Sequence, residues 1–77
     1  MQDKLVLLFA EELDVDPATL SEASSPDTVE TWDSLAAMRL VAAIEAVFSV
    51  SLSARDVMRM RTIGIARGVL QSKGVDI

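Results

Sequence analysis

Residues 31–48 read TWDSLAAMRLVAAIEAVF, and this stretch decides the fold. At about 100° per residue, the apolar side chains after Ser34 gather on one arc of roughly 120°. This pattern predicts a helix from Ser34 to about Phe48 with one buried face. The predicted buried face comprises Ala37, Leu40, Val41, Ile44, Val47 and Phe48. The predicted exposed side comprises Leu35, Met38, Arg39, Ala42, Glu45 and Ala46.

Three further helices are predicted around this one. The first covers about Asp3–Leu13, where apolar residues recur at helical spacing behind an aspartate cap. A short third helix begins after Ser53, which with Asp56 has the spacing of a capping box. The last covers Thr62–Lys73, and its two glycines make it the softest of the long helices. The sequence therefore predicts an all-α fold, a small four-helix bundle in which three main helices and one short helix form a single domain over residues 1–77.

A long first loop, DVDPATLSEASSPDTVETWD, occupies residues 14–33 between the first two main helices. It contains two prolines, several serines and threonines, and no helical period. Loops of this length in a compact domain are usually functional or disordered. We expect the apolar residues within it to hold the loop on the bundle, with Trp32 anchored on the core. These residues are Val15, Leu20, Val29 and Trp32.

Composition excludes several classes of chemistry. The chain has 77 residues, no cysteine and no histidine, so it lacks a thiol nucleophile and the commonest general base. Its N-terminal apolar run is too short for a membrane span, and we expect a cytoplasmic monomer with no membrane partner. The net charge is −5, but residues 1–33 carry −8 and residues 34–77 carry +3. This asymmetry predicts a polarised surface.

Three functional alternatives fit poorly. A calcium loop starting at Asp14 and Asp16 would place Ala18 where an oxygen ligand is needed, so we expect no metal. Self-contained serine hydrolysis at Ser34 would need a base that the chain lacks, so we expect no catalytic residue. Nucleic-acid binding by the arginines of residues 54–67 is opposed by a pI of about 4.4. The plain structural reading of Ser34, and likewise of its neighbour Asp33, is a helix cap.

Asp33-Ser34-Leu35 at a loop-to-helix junction, followed by MRLVAAIEAVF, resembles the acyl carrier proteins and the wider phosphopantetheine-binding carrier domains. The resemblance extends over the whole chain. It implies that a phosphopantetheinyl transferase moves 4′-phosphopantetheine from coenzyme A to Ser34, and that acyl-loading and acyl-transferring enzymes then use the arm. It also implies a carrier that is not an enzyme. By the same resemblance, the transferase would recognise Asp33 and Leu35, and downstream partners would recognise Met38. Leu35 and Met38 lie off the predicted buried face, and we expect them, with Arg39 beside them, to contact partners.

The predicted second helix departs from the pattern of the general fatty-acid carriers. In those carriers this helix is strongly acidic and is recognised by basic patches on partner enzymes. Here its exposed side carries one acid and one base, Glu45 and Arg39. We therefore expect an acyl carrier for a dedicated pathway rather than for bulk fatty-acid synthesis. A peptidyl, aminoacyl or D-alanyl carrier is the alternative within the family, and an unmodified helical interaction domain is the alternative outside it.

Overall fold

The computed structural model describes residues 3–77, and four α-helices form its framework. These are α1 (Lys4–Leu13), α2 (Ser34–Phe48), α3 (Ala54–Arg59) and α4 (Ile63–Ser72). The predicted all-α bundle is confirmed, and the bounds of α2 agree with the sequence pattern. The long loop contains one 3-10 turn, Pro17–Thr19, which was not predicted. None of the helices within residues 3–77 has the length and apolar character needed to cross a bilayer.

Each helix begins at a side chain that accepts hydrogen bonds from its first turn. Asp3 accepts from two backbone N–H groups of α1, and Thr62 accepts from Ile65 at the start of α4. At α3, Ser53 and Asp56 exchange hydrogen bonds of 3.1 and 2.9 Å, which confirms the predicted capping box. These caps satisfy backbone donors that a helix leaves without partners, and so they fix the helix starts locally.

The core lies among α1, α2, α4 and the loop. Phe9 and Trp32 meet edge to face, with ring centroids 5.2 Å apart and an interplanar angle of 62°. Trp32 is therefore anchored on the core, as predicted, and Val29 is buried beside the same cluster. The largest side chains that are fully buried are Phe9, Leu5, Leu13, Ile44, Ile63 and Leu70.

The buried face of α2 differs in part from the prediction. Its fully buried residues are Ala36, Leu40 and Ile44, whereas Val47 is 55% exposed. Side chains four residues apart form one ridge along a helix, and this ridge packs into the bundle. Val47 lies outside it, in an open groove between α1 and α2. The periodicity of α2 alone does not show which neighbour covers which part of its apolar arc.

The loop packs against the first turn of α4. The carbonyl oxygens of Glu22 and Ser24 accept hydrogen bonds from the backbone N–H groups of Gly64 and Ile63, at 2.9 and 3.2 Å. A Cβ atom added at Gly64 would lie 3.1 Å from the Glu22 carbonyl oxygen. Gly64 therefore allows a close backbone approach that a larger residue would crowd, a role that its helix propensity does not reveal.

Arg67 of α4 joins the loop to α1. Its guanidinium donates two hydrogen bonds to the Glu22 carboxylate, at 2.7 and 3.0 Å, and one to the Asp3 carboxylate, at 2.6 Å. These bonds link the acidic first part of the chain to the basic second part. They lower the pKa of Glu22. At Asp3, burial raises the pKa, but the hydrogen bonds from Arg67 and from the backbone outweigh it and leave a net lowering.

Candidate functional site

Ser34 is the first residue of α2, and its side chain is exposed. The cap of α2 is Asp33, whose carboxylate accepts the N–H of Ala36 at 2.9 Å. The cap reading is therefore correct for Asp33 and wrong for Ser34. Because Asp33 already caps α2, the Ser34 hydroxyl is not needed to begin the helix.

The first turn of α2 has backbone donors to offer an anion. The N–H groups of Ala36 and Ala37 bond to the side chain and carbonyl of Asp33. Within residues 3–77, those of Ser34 and Leu35 have no acceptor. Such donors, together with the positive end of the helix dipole, stabilise negative charge at a helix start. The start of α2 thus has the electrostatics to accommodate a phosphodiester on Ser34.

A surface cleft lies beside Ser34. It has a volume of about 310 Å³ and is lined by Pro26, Trp32, Asp33, Ser34 and Ala37. Trp32 and Ala37 also line an internal cavity of about 30 Å³, which is room for roughly one water molecule. The other residues that line the internal cavity are Phe9, Leu40, Val41, Val57 and Met60. The cleft and this small, partly open cavity therefore share Trp32 and Ala37 in their walls.

Four residues were predicted to face partners, and all four are exposed near Ser34. Asp33 immediately precedes Ser34 and caps α2. Leu35 and Met38 are 67% and 69% exposed, and Arg39 shares their side of α2. Large apolar side chains with this much exposure at adjacent helical positions are typical of a docking surface.

Another apolar residue near the site was not singled out by the sequence. Met58 of α3 is 75% exposed, whereas its neighbours Val57 and Met60 line the internal cavity together with residues of α2. The spacing of Val57 and Met60 marks the inward side of α3. That spacing could have shown that Met58 points away from the bundle.

The two aspartates of the calcium-loop alternative, which fits the sequence poorly, have structural roles. Asp16 caps the 3-10 turn, with its carboxylate accepting the N–H of Ala18 at 2.9 Å. Asp14 adopts the left-handed conformation that ends α1. The paired aspartates therefore encode a helix end and a turn start.

An exposed serine hydroxyl, free first-turn N–H groups and an adjoining cleft together suit a covalently attached phosphodiester arm. A family model described as "Phosphopantetheine attachment site" matches residues 3–64, which include α1, the long loop, α2 and α3. Domains of this family bear covalently attached 4′-phosphopantetheine, interact with a phosphopantetheinyl transferase and partner enzymes, and are themselves non-catalytic carriers. Because the match spans most of the 77 residues, the chain belongs to the phosphopantetheine-bearing carrier family.

Proposed function

We propose that this chain is an acyl carrier protein and that Ser34 is its attachment residue. The proposal rests on one observation at the start of α2: Asp33 caps the helix, and the neighbouring Ser34 stays exposed. A hydroxyl that is neither buried nor used as a cap is accessible to a modifying enzyme. When bound, the arm supplies a terminal thiol, which holds cargo as a thioester and which this cysteine-free chain otherwise lacks.

The proposed modification is a transfer to the Ser34 hydroxyl. Its oxygen forms a bond to the phosphorus that bears the pantetheine in coenzyme A, and the diphosphate bond breaks to release adenosine 3′,5′-bisphosphate. The chain has no histidine to take the hydroxyl proton, so a base of the transferase receives it. The first-turn N–H groups of α2 then stabilise the charge of the phosphodiester.

The test is an intact-mass measurement after incubation with coenzyme A, magnesium and a broad-specificity phosphopantetheinyl transferase. The native chain is expected to gain the mass of one phosphopantetheine, and Ser34→Ala none. Ser51→Ala is a matched control because Ser51 is also exposed but lies in the α2–α3 connector. A mass gain in Ser34→Ala, or none in the native chain with several transferases, would refute the assignment.

The cargo is proposed to be an acyl chain sheltered by the bundle. The path for such a chain leads from the cleft past Trp32 and Ala37 to the cavity beside Val57 and Met60. Each buried methylene contributes about 0.8 kcal/mol, so a long acyl chain should raise the melting temperature above that of the bare holo protein. The comparison requires the holo and acylated forms in the same buffer.

A peptidyl or aminoacyl carrier is the second candidate. The observation that favours it is the size of the internal cavity, which at about 30 Å³ holds no acyl chain unless the helices part. Under this alternative, a short or polar cargo stays outside the bundle. Acylation with a long chain would then leave the melting temperature unchanged.

A dedicated pathway is proposed because the exposed side of α2 lacks the acidic character of bulk fatty-acid carriers. Arg39 there is exposed, and Glu45 is half-buried and accepts the N–H of Leu52 at 2.8 Å. The test is exchange: a generic fatty-acid ketosynthase and malonyl transferase are expected to use this carrier poorly. Use equal to that of their own carrier would contradict the proposal.

A further inference from the structure

The exposed surfaces of α2 and of the α3 region carry four arginines, Arg39, Arg55, Arg59 and Arg61, which we term the arginine face. All four side chains are exposed. The ion pairs found among residues 3–77 involve none of them. Their charges are therefore available to an external partner.

The acids nearest in sequence to the four arginines are only three, Asp33, Glu45 and Asp56. Asp56 pairs with Lys73 of α4 at 2.8 Å, and this contact, followed by hydrogen bonds at Ser53, lowers its pKa to about 2. The Glu45 carboxylate accepts the backbone N–H of Leu52. The arginine face is thus a locally positive region on a chain whose net charge is −5.

Two members of the arginine face, Arg39 and Arg61, are close in the chain to residues of the Ser34 site or of the adjoining cavity. Met60 lines the internal cavity with Ala37, and Ala37 lines the cleft beside Ser34. Arg61 directly follows Met60 in the chain. On α2, Arg39 lies one helical turn beyond Leu35, which immediately follows Ser34. An enzyme that reaches the arm on Ser34 therefore approaches next to these positive charges.

Exposed apolar side chains lie on the same segments of the chain as the arginines. Leu35, Met38 and Met58 are 67%, 69% and 75% exposed. Exposed apolar side chains next to several positive charges complement a partner surface that has apolar pockets bordered by negative charges. Nucleic acid fits less well, because the pI of the chain is about 4.4.

We infer that the enzymes which load or unload this carrier dock on the arginine face through an acidic surface. The inference rests on the proposed function, since it concerns enzymes that act on an arm at Ser34. It specifies the sign of charge that a matched partner must present. It also specifies that α3 takes part in the docking surface together with α2.

The test uses a malonyl transferase of bulk fatty-acid synthesis, a partner expected to present a basic surface. The substrates are the holo forms of the native chain, of Arg39→Glu, of Arg39→Glu/Arg61→Glu and of Lys4→Glu. Lys4→Glu is the matched control because it makes the same charge change as Arg39→Glu. Lys4 is also exposed, and it lines a groove with Ala43 and Val47, about 14–20 Å along α2 from Ser34.

At low salt, we expect Arg39→Glu to raise kcat/KM by about tenfold and the double variant to raise it further, with Lys4→Glu within about twofold of the native chain. Raising the salt toward 1 M should shrink the differences, because the screening length falls to about 3 Å. Equal effects of Arg39→Glu and Lys4→Glu, or no gain in either arginine variant, would overturn the inference. Failure of the native chain to become holo would instead overturn the proposed function.

Discussion

Gly64 and Gly68 of α4 provide a sharp test of how the long loop packs. Both are helical glycines, but their surroundings differ. A Cβ atom added at Gly68 would meet nothing within 4 Å, whereas one added at Gly64 would lie 3.1 Å from the carbonyl oxygen of Glu22 and 3.3 Å from its Cβ. Alanine should therefore have opposite effects at the two positions.

The expected magnitudes follow from propensity and packing. Gly68→Ala lies in the interior of α4 and should stabilise the protein by about 1 kcal/mol, or roughly 4–8 °C in Tm for a domain of this size. Gly64→Ala gains less because it lies in the first turn, and it forces an overpacked contact that typically costs about 1–3 kcal/mol. Glu22 cannot easily retreat, since Arg67 holds its carboxylate with two hydrogen bonds. We expect a net loss of about 1 kcal/mol for Gly64→Ala.

The assay is urea unfolding followed by far-UV circular dichroism for the native chain and both single variants. Both glycine substitutions are then repeated in the Arg67→Gln variant, in which Glu22 is released. There the loss of stability at Gly64 should shrink, and the gain at Gly68 should not change. This non-additivity would identify the loop as the source of the penalty. An equal gain from alanine at both glycines would refute the reasoning, because it would mean that the loop does not approach α4 closely.

The other expected outcomes concern ionised side chains and the cap. Arg67→Gln should lower the free energy of unfolding by about 1 kcal/mol at neutral pH, as urea unfolding would show; no change would contradict a stabilising role. The folded-state pKa values of Glu22 and Asp56 lie below their ordinary values, so the stability that they contribute is complete above pH about 5 and is lost as pH falls toward 2. Thermal melts across this range should show the loss, with a shallower slope in Arg67→Gln. Asp33→Ala should cost about 1 kcal/mol as a lost cap, whereas Ser34→Ala should change stability by less than about 0.5 kcal/mol; the reverse order would make Ser34 the cap.

Local patterns in the sequence were sufficient to predict the helices and their order. The bounds of α2, the capping box of Ser53 and Asp56, and the anchoring of Trp32 all agree with the structure. The helix bounds and the capping box depend on residues close together in the chain, whereas Trp32 packs on the distant Phe9 and was predictable from its aromatic, apolar side chain. The family could be identified because the motif around Ser34 lies at one loop-to-helix junction.

The burial of Ala36 and the exposure of Val47 could not be predicted from periodicity. Both belong to an apolar helix, but burial depends on where α1 and the loop lie against it. Val47 is 55% exposed although it was predicted to be buried, and Ala36 is fully buried although the pattern assigned it to neither side. The apolar arc of a helix gives the direction of the core only to within about one residue. The packing of the neighbouring helices decides which residues at the edges of the arc are buried.

The sequence by itself determined the helices, the candidates for their caps, the missing histidine and cysteine, and the serine at the start of α2. Only the tertiary structure decided that the backbone of Glu22 packs closely against Gly64. It also decided that Arg67 of α4 joins the loop to the start of α1, 64 positions away. Finally, it decided that Val57 and Met60 of the α3 region share a cavity with Ala37, Leu40 and Val41 of α2. The reason is physical: helices and caps arise from interactions within a few residues, whereas close approaches and charge clusters depend on how distant segments pack.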